Sequence, residues 1–88
     1  MQQFMVVLPH TDGDCLKVLD EGAAMGSAAL SKWRWGCMAG DHTGYALIEA
    51  EGEAEALETV PATVRSKAKA IPVQTLTVEQ IQSFHSMP

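Results

Sequence analysis

The most constraining feature of this sequence is a continuous apolar run near its beginning. Residues 4–8 are Phe-Met-Val-Val-Leu, and Pro9 follows at once. The run is too short for a buried helix before the proline ends it, and it is typical of a β-strand. Strand side chains alternate between two faces, so a run without polar residues predicts a strand that is covered on both faces. The chain must therefore build cover on each side of this strand.

Hydrophobic spacing in the next part of the chain predicts one helix and two strands. Thr11 is a candidate N-cap, and small and apolar residues recur at helical spacing over residues 12–26. Residues 30–38 alternate between apolar and polar side chains, which indicates a strand. Turn-forming residues 39–43 separate it from a second apolar strand over residues 44–50. The two strands are expected to form a hairpin.

The remaining residues predict a broken helix, an edge strand and a short final helix. Apolar residues lie on one stripe over residues 51–70, but Pro61 lacks an amide proton, so we expect a break near Thr59. Residues 71–76 have the composition of a strand, and Pro72 places that strand at a sheet edge or a bulge. The capping-box pattern that begins at Thr77 predicts a final helix to about His85.

The predicted order of elements is β-α-β-β-α-β, followed by a small helix. It is the α+β, ferredoxin-like arrangement, a four-stranded antiparallel sheet with both main helices on one face, in a single domain over residues 1–88. Helices then cover only one face of the first strand. A second copy of the chain is the natural cover for the other face, and a domain of 88 residues has a small core that a partner would stabilise.

From this topology we also infer where the chemically active side chains lie. We expect strands one and three to run parallel in the middle of the sheet, which puts His10 and His42 at opposite ends of a strand about 25 Å long. By the same argument Cys15 and Cys37 are too far apart for a disulfide. The prediction is two free thiols, no metal site and no cofactor. For Cys15 a small core residue and a reactive thiol at a helix N-terminus both stay open.

Element order, size and apolar pattern over nearly the whole chain resemble those of the dimeric α/β-barrel superfamily. The resemblance implies a homodimer in which two ferredoxin-like sheets pack face to face. That superfamily includes muconolactone isomerase-like enzymes, cofactor-free monooxygenases, haem-degrading proteins and short proteins of unknown function, and the chain most resembles the last group. The sequence contains no catalytic signature of these families, so no residue's role is carried over.

Composition excludes several classes of partner. Eleven acidic and six basic residues give a formal net charge of −5, which argues against nucleic acid as a partner. No apolar run is long enough to cross a bilayer, and the first residues lack a basic region and a cleavage pattern, so we expect a cytoplasmic protein without membrane partners. Two cysteines are too few for a disulfide framework, and neither a CxxC spacing nor a paired Cys/His spacing suggests structural zinc.

The preferred hypothesis for function is binding of a small organic ligand in a cavity at the sheet face or the dimer interface. Basic residues in such a cavity would favour an anion, and isomerase- or monooxygenase-like chemistry is left open, as is whether the protein is an enzyme. The rival hypothesis is a non-catalytic interaction or regulatory module that uses the sheet face for assembly. For the two tryptophans, core packing and a cavity wall are both open. The candidate lining residues are His10, Trp33, Arg34, Trp35, Cys37, His42 and Tyr45.

Overall fold

A computed structural model describes residues 1–86 and shows an α+β fold with one four-stranded antiparallel sheet. The strands are β1 (Gln2–Pro9), β2 (Trp33–Trp35), β3 (Thr43–Ala50) and β4 (Lys69–Val73). The helices are α1 (Cys15–Ala24), α2 (Ser27–Leu30), α3 (Glu53–Leu57) and α4 (Val78–His85). Short 3₁₀ turns span Asp12–Asp14, Cys37–Ala39 and Ala62–Lys67. Strands and helices follow one another in a way that is consistent with the predicted ferredoxin-like arrangement, and α2 is an additional single turn.

The sheet order is β2-β3-β1-β4, and all three neighbouring pairs are antiparallel. The apolar run therefore lies in a central strand, and Pro72 lies in an edge strand, as predicted. The inferred parallel course of strands one and three is wrong. A β-α-β-β chain makes strands one and two parallel, and the hairpin then returns strand three between them in the opposite direction. Pro9 at the end of β1 consequently pairs with Thr43 at the start of β3.

The core lies between the sheet and the helical layer. Alternate residues of β1 and β3 point into it, with Val6 and Leu8 fully buried. Val18 of α1 and Val60 after α3 complete the largest buried side chains. Burying one such aliphatic side chain contributes about 1.5–3 kcal/mol.

Several boundaries differ from prediction for local reasons. The strand expected over residues 30–38 is reduced to β2, because α2 occupies its beginning and a 3₁₀ turn takes Cys37 out of it. The long helix breaks before Pro61, as expected, and continues as a 3₁₀ turn. The strand expected over residues 71–76 is β4, which begins two residues earlier and ends three residues earlier. The final helix has its predicted capping box between Thr77 and Gln80.

The face of the sheet away from the helices, here called the open face, carries outward residues in three rows across the strands. The basic row contains Arg34, Tyr45, Val7 and Lys69. The apolar row contains Leu47, Met5 and Ile71. The acidic row contains Glu49, Gln3 and Val73. Leu47 is 53 % exposed and Ile71 is 47 % exposed, so no element within residues 1–86 covers this face.

No helix within residues 1–86 combines the length and the apolar character that crossing a membrane requires.

Candidate metal centre

Two histidines and two cysteines converge at the end of the sheet where β1 finishes and β3 begins. Each of His10, Cys15, Cys37 and His42 offers one potential ligand atom, and these four atoms all lie within 4.8 Å of one another. All four residues are half-buried. The expected separation of the histidines across the sheet and the expected distance between the cysteines are both wrong.

Antiparallel topology is the reason for this convergence. His10 directly follows β1 and His42 directly precedes β3, and the backbone amide of His10 donates to the carbonyl of His42 at 2.9 Å. Their ring centroids are 6.1 Å apart. Cys15 begins α1, only five residues after His10, while Cys37 lies in the turn after β2, which ends at the same edge. One end of the sheet therefore collects all four side chains.

The loop from Gly36 to Thr43 has a tight hydrogen-bonded conformation that presents Cys37 and His42 together. The amides of Ala39 and Asp41 both donate to the carbonyl of Gly36. A Cβ at Gly36 would lie 2.7 Å from the carbonyl oxygen of Asp41, so this position needs glycine. Gly40 has a φ of +88°, in the left-handed region that favours glycine. These glycines are requirements of the loop and do not react themselves.

The atoms nearest the centre of the cluster are the two sulfurs and one imidazole nitrogen. Cys15 Sγ lies 2.9 Å from Cys37 Sγ, and Cys37 Sγ lies 3.5 Å from His10 Nε2. Neither cysteine is in a disulfide. The other nitrogen of His10, Nδ1, lies 3.4 Å from the carbonyl oxygen of Leu8. His10 therefore presents Nε2 to the cluster while Nδ1 faces the backbone.

His42 has the opposite orientation. Its Nε2 lies 3.4 Å from Oδ1 of Asp12, whereas its Nδ1 is buried and has no hydrogen-bond partner within the described residues 1–86. A buried polar atom without a partner costs about 1–3 kcal/mol. Nδ1 of His42 is thus a donor or acceptor position that the protein alone does not satisfy.

The sulfur pair is electrostatically unusual. The pKa of Cys15 is raised to about 11, first because its thiol donates a hydrogen bond to Cys37 and then because of partial burial and the neighbouring negative charges of Cys37 and Asp12. Two thiolates at this distance repel each other unless a cation lies between them.

At the rim of the loop, the Tyr45 hydroxyl donates to Asp41 at 2.7 Å, which lowers the pKa of Asp41 and raises the pKa of Tyr45.

Two kinds of chemistry are open to this arrangement. A soft or borderline metal ion could be held by both sulfurs and both imidazoles. Alternatively, loss of two electrons and two protons would join the sulfurs at the disulfide bond length of about 2.05 Å. The two outcomes exclude each other, because each uses both sulfur atoms.

The seven residues predicted to line one ligand site divide into three groups. His10, Cys37 and His42 belong to the cluster. The ring centroid of Trp35 lies 6.2 Å from that of His10, and Trp35 stacks on Trp33, which is buried in the core. Neither tryptophan side chain therefore lies on the open face.

The remaining two predicted residues, Arg34 and Tyr45, lie side by side on the open face. There they border a shallow groove of about 390 Å³ that is also lined by Lys32 and Leu47.

A glycine in β3 makes the stacking of the tryptophans possible, since a Cβ at Gly44 would lie 2.6 Å from the Trp35 ring.

Cys15 is the residue of the cluster that the candidate set left out. The sequence contains a signal that could have identified it: His10 and Cys15 are separated by four residues, and Cys37 and His42 repeat the same separation in mirrored order. Two such pairs become a site only if their segments meet. Because the predicted direction of the third strand was wrong, these two segments were expected to lie far apart.

Comparison with known proteins gives no match to a family model, to a curated protein or to a solved structure. Any function must therefore be argued from the geometry of the site itself.

Proposed function

We propose that this chain is a zinc-binding protein that holds one metal ion with His10, Cys15, Cys37 and His42. The observation that carries the proposal is the convergence of one potential ligand atom from each of these four side chains within 4.8 Å. Two thiolates and two imidazoles form one of the common tetrahedral ligand sets of structural zinc. Softer sulfur ligands disfavour Mg²⁺ and Ca²⁺, which take oxygen ligands.

The distances suit zinc after a small adjustment. With Zn–S distances of about 2.3 Å and Zn–N distances of about 2.0–2.1 Å, tetrahedral ligand atoms lie roughly 3.3–3.8 Å apart. The 3.5 Å between Cys37 Sγ and His10 Nε2 already falls in this range. The 2.9 Å between the sulfurs would have to widen by about 1 Å, which rotation of the two half-buried cysteine side chains can supply. A bound cation would also remove the repulsion between the thiolates.

Four protein ligands leave no open coordination position for a substrate. Catalytic zinc sites usually have three protein ligands and a water molecule, while structural sites are closed by four. We therefore assign the metal a structural role. It would join the end of β1, the start of α1 and both ends of the β2–β3 loop in a domain whose core is small.

The direct test is Co²⁺ titration of metal-free, reduced protein. Tetrahedral Co²⁺ with thiolate ligands has intense visible d–d bands and a near-ultraviolet charge-transfer band, and both should saturate at one ion per chain. Zn²⁺ should then displace the cobalt and bleach the spectrum. A weak octahedral spectrum, or no saturation near one equivalent, would show that the four residues do not form a metal site.

We also infer that a second copy of the chain covers the open face. Its apolar row is exposed at the centre, with the basic row on one side and the acidic row on the other. A two-fold axis through the apolar row and perpendicular to the strands would place apolar row on apolar row. The same operation would set the basic row of each copy over the acidic row of the other, with Glu49 one strand away from the partner's Arg34, which is complementary in charge.

This dimer would turn the groove beside Arg34 and Lys32 into a more enclosed cavity, suited to a small anionic ligand. Ligand binding at this site is the second candidate function, and the two basic residues are the observation that favours it. An anion there would act independently of the metal centre, because the open face and the cluster are formed by different residues. The reduced thiols that the metal centre needs suit a cytoplasmic location.

Leu47→Asp tests the proposed dimer. Leu47 lies in the apolar row, so the dimer would bury two unpaired carboxylates near its axis, and burial of a charge without a partner costs several kcal/mol. The dimer dissociation constant should rise more than about 100-fold, since each 1.4 kcal/mol is a factor of ten. Sedimentation equilibrium at micromolar concentration measures it.

Leu16→Asp is the matched control for the dimer test, because Leu16 is 70 % exposed on α1 and away from the open face. The dimer dissociation constant of the Leu16→Asp variant should equal that of the unmodified chain. A monomeric unmodified chain, or equal effects of the two substitutions, would contradict assembly through the open face.

A further inference from the structure

Two features of His42 are not explained by the four proposed ligands alone. They are its contact with Asp12 and the ring nitrogen that has no partner within residues 1–86. Asp12 Oδ1 lies 3.4 Å from Nε2 of His42, and Nδ1 of the same ring is buried without a partner within residues 1–86. A neutral imidazole has one N–H, and a carboxylate can only accept. The carboxylate therefore favours the tautomer with hydrogen on Nε2 and leaves the lone pair on Nδ1.

We propose that Asp12 is a positioning residue that selects Nδ1 of His42 as the metal-binding atom. The inference rests on the proposed zinc function. It predicts a mixed site, with Nδ1 from His42 and Nε2 from His10, whose own Nδ1 lies 3.4 Å from the Leu8 carbonyl. Each ring then has an acceptor for its outer N–H, a carboxylate for one and a backbone carbonyl for the other. Metal-bound histidines commonly have such outer acceptors.

The position of Asp12 in the chain makes this role possible. It begins the 3₁₀ turn Asp12–Asp14, which Thr11 caps by accepting from the Asp14 amide. This turn leads directly into α1 and Cys15, so the same short segment supplies one ligand and orients another. The Asp12 side chain is 91 % exposed and forms no other ion pair within residues 1–86, which leaves His42 as its specific partner.

The experiment combines zinc affinity with the tautomer of His42, read from long-range ¹H–¹⁵N NMR spectra at about pH 8, where imidazole is neutral. In the unmodified protein we expect hydrogen on Nε2 of His42 both without metal and with zinc on Nδ1. Asp12→Ala should lower zinc affinity about 10- to 100-fold, the usual effect of losing an outer-shell partner, and should mix the two tautomers in the metal-free protein.

Two further variants separate orientation from charge and from folding. Asp12→Asn keeps an acceptor oxygen but not the charge, so it should retain the Nε2–H tautomer with a smaller loss of affinity than Asp12→Ala. Asp14→Ala is the matched control, because Asp14 lies in the same turn and contacts Lys67 instead, at 3.7 Å. It should leave both readouts unchanged.

Two results would overturn the proposal about Asp12. One is hydrogen on Nδ1 of His42 in the metal-free, unmodified protein. The other is equal zinc affinity and equal tautomer patterns in Asp12→Ala and Asp14→Ala. Either result leaves the zinc site intact if the unmodified chain still binds one Co²⁺ tetrahedrally. Failure of that cobalt titration would instead reject the metal site, and the metal-free spectra would still report on Asp12.

Discussion

Zinc added to the metal-free, reduced protein is expected to raise its unfolding temperature by about 10–20 °C when the free zinc concentration is about 100 times Kd. A ligand that binds only the folded state stabilises it by about 2.7 kcal/mol at this ratio. For a domain of 60–100 residues, 1 kcal/mol corresponds to about 4–8 °C. The four proposed ligands come from two separate segments, residues 10–15 and 37–42, which only folding brings together, so the folded state has by far the higher affinity.

Differential scanning calorimetry with and without zinc measures this shift, and an excess of chelator should reverse it. Mg²⁺ at the same concentration should leave the unfolding temperature unchanged, because it prefers oxygen ligands. The double variant Cys15→Ser/Cys37→Ser should lose the response to zinc. A shift of equal size in the double variant would place the stabilising metal elsewhere, and no shift in the unmodified protein would reject the structural role.

Cys37→Ser is expected to weaken zinc binding by more than about 100-fold. Loss of an outer-shell partner alone costs about 10- to 100-fold, and this substitution removes a ligand that is in direct contact with the metal. Serine is nearly isosteric, but its hydroxyl is neither soft nor ionised near neutral pH. The Cys37 sulfur lies within 3.5 Å of two other members of the cluster, so its loss also removes the contact that joins Cys15 to His10.

Competition titration against a chromogenic zinc chelator gives the affinity, and the cobalt charge-transfer band should fall because one thiolate is lost. Met38→Ser is the matched control, since Met38 is fully exposed in the same 3₁₀ turn. His85→Ala is the control for the histidines, because His85 ends α4 and is not in the cluster. Affinity that is equal in Cys37→Ser and Met38→Ser would show that Cys37 is not a ligand.

Much of the fold was predictable from the sequence because local rules and burial patterns agree. The apolar run that forms β1, the proline that breaks the second long helix and the capping box at Thr77 each act within a few residues. The apolar residues that β1 adds to the open face, Met5 and Val7, also follow from the absence of polar residues between Phe4 and Leu8. Assembly into a dimer stays a prediction.

The convergence of the four candidate ligands was not predicted, because it depends on the direction of one strand. Cys15 and Cys37 lie twenty-two positions apart, and His10 and Cys37 lie twenty-seven apart. No spacing rule brings such residues together unless the hairpin returns antiparallel to β1. A single wrong direction moved His42 to the far end of the sheet and removed every contact between the two segments of the cluster.

The sequence by itself determined which segments become strands and helices, and it supplied two cysteine–histidine pairs with mirrored spacing. These properties follow from side-chain periodicity, turn chemistry and proline geometry, which act locally along the chain. Only the tertiary structure decided that the two pairs meet, with Nδ1 of His42 buried without a partner within residues 1–86 and Asp12 beside Nε2 of the same ring. Coordination geometry depends on distances of a few ångströms between segments that are remote in sequence, and antiparallel strand pairing sets those distances.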